Sequence, residues 1–133
     1  MGLITYYKLV KGKKAVGEEF DIDKSYVELS TGFDALGLDG NYIVIGSTGS
    51  ELNSEDEDDG FYEANLSPTA VKENWKKVKD VTFKQFFSAF KKSDLGKSTD
   101  DDSEEYIEAH FETLKDVYKA AAGQSAGIKI SAS

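Results

Sequence analysis

The residues best equipped for chemistry in this sequence are its acids, twenty-five aspartates and glutamates against sixteen basic residues, all of them lysine. General acid–base or glycosidic chemistry needs two carboxylates in environments that push their pKa values apart. With acids in so many polar segments, spacing alone singles out no such pair. The run Glu55, Asp56, Glu57, Asp58, Asp59 ahead of Gly60 is oxygen-rich in the manner of a calcium loop. If Gly60 takes the turning position of an EF-hand, the closing position falls on Leu66, where calcium needs a bidentate glutamate. No metal site is expected. The single histidine, His110, would leave a zinc ion to carboxylates alone, and cysteine is absent. Asp21 and Asp23 stand at a helix entry, where capping explains them. No serine elbow, phosphate loop or dinucleotide fingerprint occurs. The expectation is no catalytic residue and no cofactor.

Charge speaks more clearly. A net charge of −9 repels phosphates and anionic lipid headgroups. The lack of arginine also removes the bidentate fork that reads guanine or clamps a transferring phosphoryl group. Neither nucleic acid nor membrane is an expected partner. Residues 51–63 and 100–108 are almost purely acidic, whereas residues 72–97 hold eight lysines against Glu73, Asp80 and Asp94. Such segregation steers a basic protein partner toward the acidic segments. The candidate partner-binding residues are therefore Glu55, Asp56, Glu57, Asp58, Asp59, Asp100, Asp101 and Asp102. Trp75, set among Lys72, Lys76, Lys77 and Lys79, joins them as an aromatic that is either a docking hot spot or a core anchor.

Two functional readings follow. The first is a non-catalytic protein-binding module, in the manner of an acidic immunity or antitoxin protein that covers a cationic toxin or effector. The second is an enzyme or small-ligand binder with a pocket between sheet and helices that uses Asp23, Tyr26 and His110. For His110, beside Phe111 and one turn after Tyr106 and Ile107, a half-buried packing role is the ordinary alternative.

The elements that must position these residues are legible in part. At 133 residues the chain suits one domain. Residues 3–10 read as a strand ended by the turn Lys11-Gly12-Lys13-Lys14. Asp21 or Asp23 caps a helix through Leu36 that Gly37 stops. Tyr42-Ile43-Val44-Ile45, an apolar run between glycines, reads as a buried strand. Residues 47–60 and 93–103 read as mobile acidic loops. Ser67-Pro68 opens a helix through about Val78. Thr82 opens a second, whose Phe83, Phe86, Phe87 and Phe90 form a core stripe. A long helix from Ser103 to about Ala122 buries Ile107, Phe111, Leu114, Val117, Tyr118 and Ala121. A final strand, Gly127-Ile128-Lys129-Ile130-Ser131, alternates apolar and polar residues and pairs with the first strand at a sheet with one wet face. The fold class expected is α+β: a small antiparallel or mixed sheet including the N- and C-terminal strands, packed against about four helices. Met1-Gly2-Leu3-Ile4-Thr5-Tyr6-Tyr7 lacks the pattern of a leader peptide, no apolar run is long enough to span a membrane, and the expected location is cytoplasmic.

Taken in order, these landmarks resemble the YfbM-like family of small uncharacterised bacterial proteins, classed as a domain of unknown function. The resemblance rests on Met1-Gly2-Leu3-Ile4-Thr5-Tyr6, on Asp21-Ile22-Asp23-Lys24-Ser25-Tyr26 with Leu29 and Thr31-Gly32, and on Leu66-Ser67-Pro68 with Val71. It continues through the closing stretch Tyr106 to Ser131, with Phe111, Leu114, Tyr118 and Ile128-Lys129-Ile130. Where family members often carry tryptophan and histidine, this chain has Tyr26 and Val27, and its middle region is shorter. The resemblance implies an α+β fold and no established activity.

Overall fold

The computed structural model describes residues 5–12, 14–22, 26–46, 62–97 and 104–132. Four strands are described: β1 (Thr5–Lys11), β2 (Lys14–Ile22), β3 (Tyr62–Leu66) and β4 (Gly127–Ala132). They form an antiparallel sheet in the order β2-β1-β4-β3. Its inner face carries Tyr7, Leu9, Leu66, Ile128 and Ile130, all buried. The alternate positions Lys8, Asn65 and Lys129 are exposed or half-exposed. On that wet face Lys8 of β1 pairs with Glu19 of β2 at 3.5 Å. The expected pairing of first and last strands and the one wet face are both present.

Six helices are described: α1 (Tyr26–Ala35), α2 (Gly40–Ile45), α3 (Pro68–Val78), α4 (Phe83–Lys92), α5 (Asp94–Lys97) and α6 (Glu104–Gly123). Helix α3 starts as its sequence dictates: the Ser67 hydroxyl accepts the Ala70 N–H at 3.1 Å, and Pro68 fills the first turn, where a missing N–H is harmless. Helix α4 has a complete capping box between Thr82 and Gln85. Helix α6 turns Ile107, Phe111, Leu114, Val117, Tyr118 and Ala121 inward. The phenylalanine stripe is core as expected, with Phe86 and Phe90 buried and Phe83 and Phe87 half-buried against them. Ring centroids lie 5.0 Å apart for Phe33–Phe86 and 4.8 Å for Phe86–Phe111, which ties α1, α4 and α6 together.

Three expectations are corrected. Tyr42-Ile43-Val44-Ile45 is not a strand but the body of α2. Asp39 Oδ1 accepts the Tyr42 N–H at 3.2 Å, and Asp34 Oδ1 accepts the Gly40 N–H at 2.8 Å, so two carboxylates hold the N–H groups of its first turn. Asp21 does not cap α1, because it lies in β2, five residues ahead of Tyr26, where α1 begins, while Asp23, the other cap expected there, lies outside the described residues. Part of the 93–103 segment is helical: α5 occupies Asp94–Lys97, and Ser93 Oγ accepts the Gly96 N–H at 3.0 Å. The expected stop at Gly37 holds, with φ at +85° ending the turn after α1.

Candidate functional site

Two buried tyrosines meet the C-terminal end of α2. Tyr7, from β1, donates its hydroxyl hydrogen to the carbonyl of Val44 at 2.6 Å, and Tyr118, from α6, donates to the carbonyl of Ile43 at 2.5 Å. A short helix leaves its last carbonyls without backbone partners, and these hydroxyls satisfy two of them. Asn74, from α3 and fully buried, donates Nδ2–H to the Tyr118 hydroxyl at 3.2 Å, while its Oδ1 has no partner among the described residues. Burial pushes the Tyr7 hydroxyl well above the usual phenol range, with Tyr118 adding to the effect. Burial likewise raises Tyr118, with the Asn74 hydrogen bond opposing the rise. Both protons are committed to backbone carbonyls, so this cluster joins β1, α2, α3 and α6 and presents no proton to a substrate.

The exposed chemistry lies on α6. With 100° per residue and the buried stripe facing the sheet, Glu105, Glu108, Glu112 and Asp116 line the opposite side, at spacings of three, four and four. All four are exposed. Like charges at these spacings cost about 0.2–0.5 kcal/mol per pair. A lysine in the middle would relieve them, and Lys115 stands three residues after Glu112. Its ammonium is directed elsewhere. Lys115 Nζ donates to the carbonyl of Val81 at 2.9 Å and of Lys79 at 3.3 Å, closing the end of α3, and it lies 5.6 Å from the centre of the Phe111 ring. On the flank of the acidic strip stands Tyr106, 43% exposed, the only large apolar side chain so open among the described residues. Its ring meets that of His110 edge-on, with centroids 4.6 Å apart.

Helix α3 carries the opposite charge. Lys72, Lys76 and Lys79 are exposed along one side, and Trp75 is half-buried beside them, packed against the core. An open groove of about 650 Å³ lies elsewhere, between the end of α1 and α4, lined by Ala35, Leu36, Gln85, Ser88, Ala89, Lys92 and Ser93. It does not include His110. Among the described residues no group of three His, Asp or Glu side chains is placed to hold a metal ion. No helix among them is long and apolar enough to cross a membrane.

Of the residues singled out from sequence, Glu55, Asp56, Glu57, Asp58, Asp59, Asp100, Asp101, Asp102 and Asp23 lie outside the described residues, as does the side chain of Tyr26, which opens α1. His110 is half-buried on α6, and Trp75 half-buried on α3. The strip of Glu105, Glu108, Glu112 and Asp116 was not among the expected sites. Its signal was present as acids recurring every three or four residues opposite an apolar stripe, and it goes unnoticed when acids are counted in blocks.

The family model of a domain of unknown function (DUF1877) matches residues 5–130. The chain belongs to that family. The crystal structure of a protein of unknown function, YfbM from Escherichia coli, is similar in fold, with a TM-score of 0.60 at 12% sequence identity, covering 98% of this chain and 99% of that one. Identity that low speaks to the fold alone. None of the curated proteins matches this chain. Membership in the family fixes the architecture, and it leaves the role of the acidic helix to be argued from its own geometry.

Proposed function

We propose that the chain is a non-catalytic protein-binding domain that docks a basic protein on the outer face of α6. The observation that carries this reading is the strip Glu105, Glu108, Glu112 and Asp116, left without Lys115, whose ammonium is spent on the end of α3. The strip runs about 16 Å along the helix at 1.5 Å per residue. That length suits one face of a cationic helix or loop, and charge complementarity on a rigid element raises association rate and fixes register. Tyr106, 43% exposed, adds an aromatic side chain at the flank of that surface. Occlusion of a cationic toxin or effector, the immunity-type role expected from composition, is the form of this reading that asks for no catalytic group.

The test is capture of a basic partner from the native source at about 0.15 M salt, followed by repetition at about 1 M, where the Debye length falls to roughly 3 Å. Retention should be lost at high salt and lost at both salts in Glu108→Lys/Glu112→Lys. A partner held equally by this variant would overturn the reading.

A further inference from the structure

We infer that the lysine and tryptophan side of α3 is a docking surface for the acidic side of α6 on a second copy of the chain. The two helices carry complementary charges at the same spacing. Lys72, Lys76 and Lys79 are separated by four and then three residues. Read backwards, Glu112, Glu108 and Glu105 are also separated by four and then three. All six side chains are exposed. Laid antiparallel, each set spans about 10.5 Å, and the pairs Lys72 with Glu112, Lys76 with Glu108 and Lys79 with Glu105 fall opposite one another. Within one molecule these pairs are not made. There, Asn74 lies beside Tyr118 and Lys115 beside Lys79, a register in which the lysine stripe and the acidic strip point away from the shared core.

Trp75, half-buried against the core, borders the lysine stripe, which gives the contact an apolar anchor beside its charges. The two faces are different surfaces, so each copy offers one of each, and the contact is of the head-to-tail kind. The net charge of −9 opposes the approach of two copies. At about 0.15 M salt, with a Debye length of roughly 8 Å, that long-range repulsion is damped while pairs in contact persist, so the association is local, weak and dependent on concentration. It uses the same α6 face that the proposed function assigns to a basic partner. Self-association therefore occludes that face until a partner displaces it.

Sedimentation velocity on the full chain at about 0.15 M salt tests this. The wild type should shift toward larger species as concentration rises to the millimolar range. Lys72→Glu/Lys76→Glu and Glu108→Lys/Glu112→Lys should each weaken self-association about tenfold or more. An equimolar mixture of the two variants restores complementarity at both faces and should associate again. Matching circular dichroism spectra establish that both variants are folded. A wild type that stays monomeric throughout, variants that associate as the wild type does, or a mixture that remains monomeric would each overturn the inference. Lys72→Glu/Lys76→Glu also separates this proposal from the proposed function, because it leaves the α6 strip whole: it should lose self-association and still capture a basic partner.

Discussion

Lys115 Nζ lies 2.9 Å from the carbonyl oxygen of Val81, so a cation of α6 closes the end of α3 and is withheld from the glutamates on its own helix. One side chain thus sets both a helix packing and the field of an exposed face. Lysine stems pack along apolar surface while their ammonium reaches a polar target, and here the target is a pair of carbonyls next to Phe111.

Lys115→Met keeps the stem and removes the donor. It should lower stability by about 1 kcal/mol, the net worth of a partly exposed hydrogen bond, read as the shift in urea midpoint at constant slope. The change in charge should at the same time speed association with a basic partner, measured by stopped flow at low salt.

Tyr118→Phe deletes the donor to Ile43 and the acceptor for Asn74 in one step, leaving a buried carbonyl and a buried amide unpaired. The expected loss is about 1–3 kcal/mol in urea unfolding. Asn74→Leu added to it should recover part of that loss, because replacing both partners by apolar groups removes one of the stranded groups.

Tyr7 and Tyr118 both have hydroxyl pKa values raised in the folded state, chiefly by burial. The unfolded chain releases these protons near pH 10, the folded one only above it, so above about pH 10 the unfolded state binds fewer protons and stability falls as pH rises. Below pH 10 the two groups add no pH dependence. Alkaline unfolding followed by circular dichroism should coincide with a late step in tyrosinate absorbance, and Tyr7→Phe should diminish that step.

Gly40 and Gly37 separate two kinds of cost. A Cβ on Gly40 would lie 2.0 Å from the backbone oxygen of Ser30, and a backbone atom in a packed helix cannot yield. Gly40→Ala should therefore cost about 3 kcal/mol or more by forcing α1 and α2 apart. Gly37 has open space around it and a φ of +85°, so Gly37→Ala should cost only about 1–2 kcal/mol of backbone strain. Thermal or urea denaturation of the two variants compares them directly.

The sequence marked the elements whose local chemistry agrees with their tertiary role. Ser67-Pro68 caps α3, Thr82 caps α4, and the apolar stripe of α6 is long enough to have one reading. Helix α2 reads as a strand because its last four residues prefer strands, and beyond the nearby carboxylates of Asp34 and Asp39 at its start, what holds it helical is remote: the hydroxyls of Tyr7 and Tyr118 at its end. Strand β2 was missed because Gly17, at a φ of +76°, interrupts its alternation where the register against β1 shifts. The acidic strip was half legible. Glu105 and Glu108 fell within a block already seen as acidic, but the direction taken by the Lys115 side chain is a tertiary fact that spacing does not carry.

Strand β4 is inserted between β1 and β3, which makes residues 127–132 the keystone of the sheet. On a ribosome, β1 and β2 can meet early, yet Tyr7 and Leu9 stay bare along one side until the last of these strands emerges. Nascent chains therefore pass through a stage of exposed apolar surface whose length is set by translation, and slow codons or stalling ahead of the segment that encodes β4 would prolong the period in which chaperones must shield them.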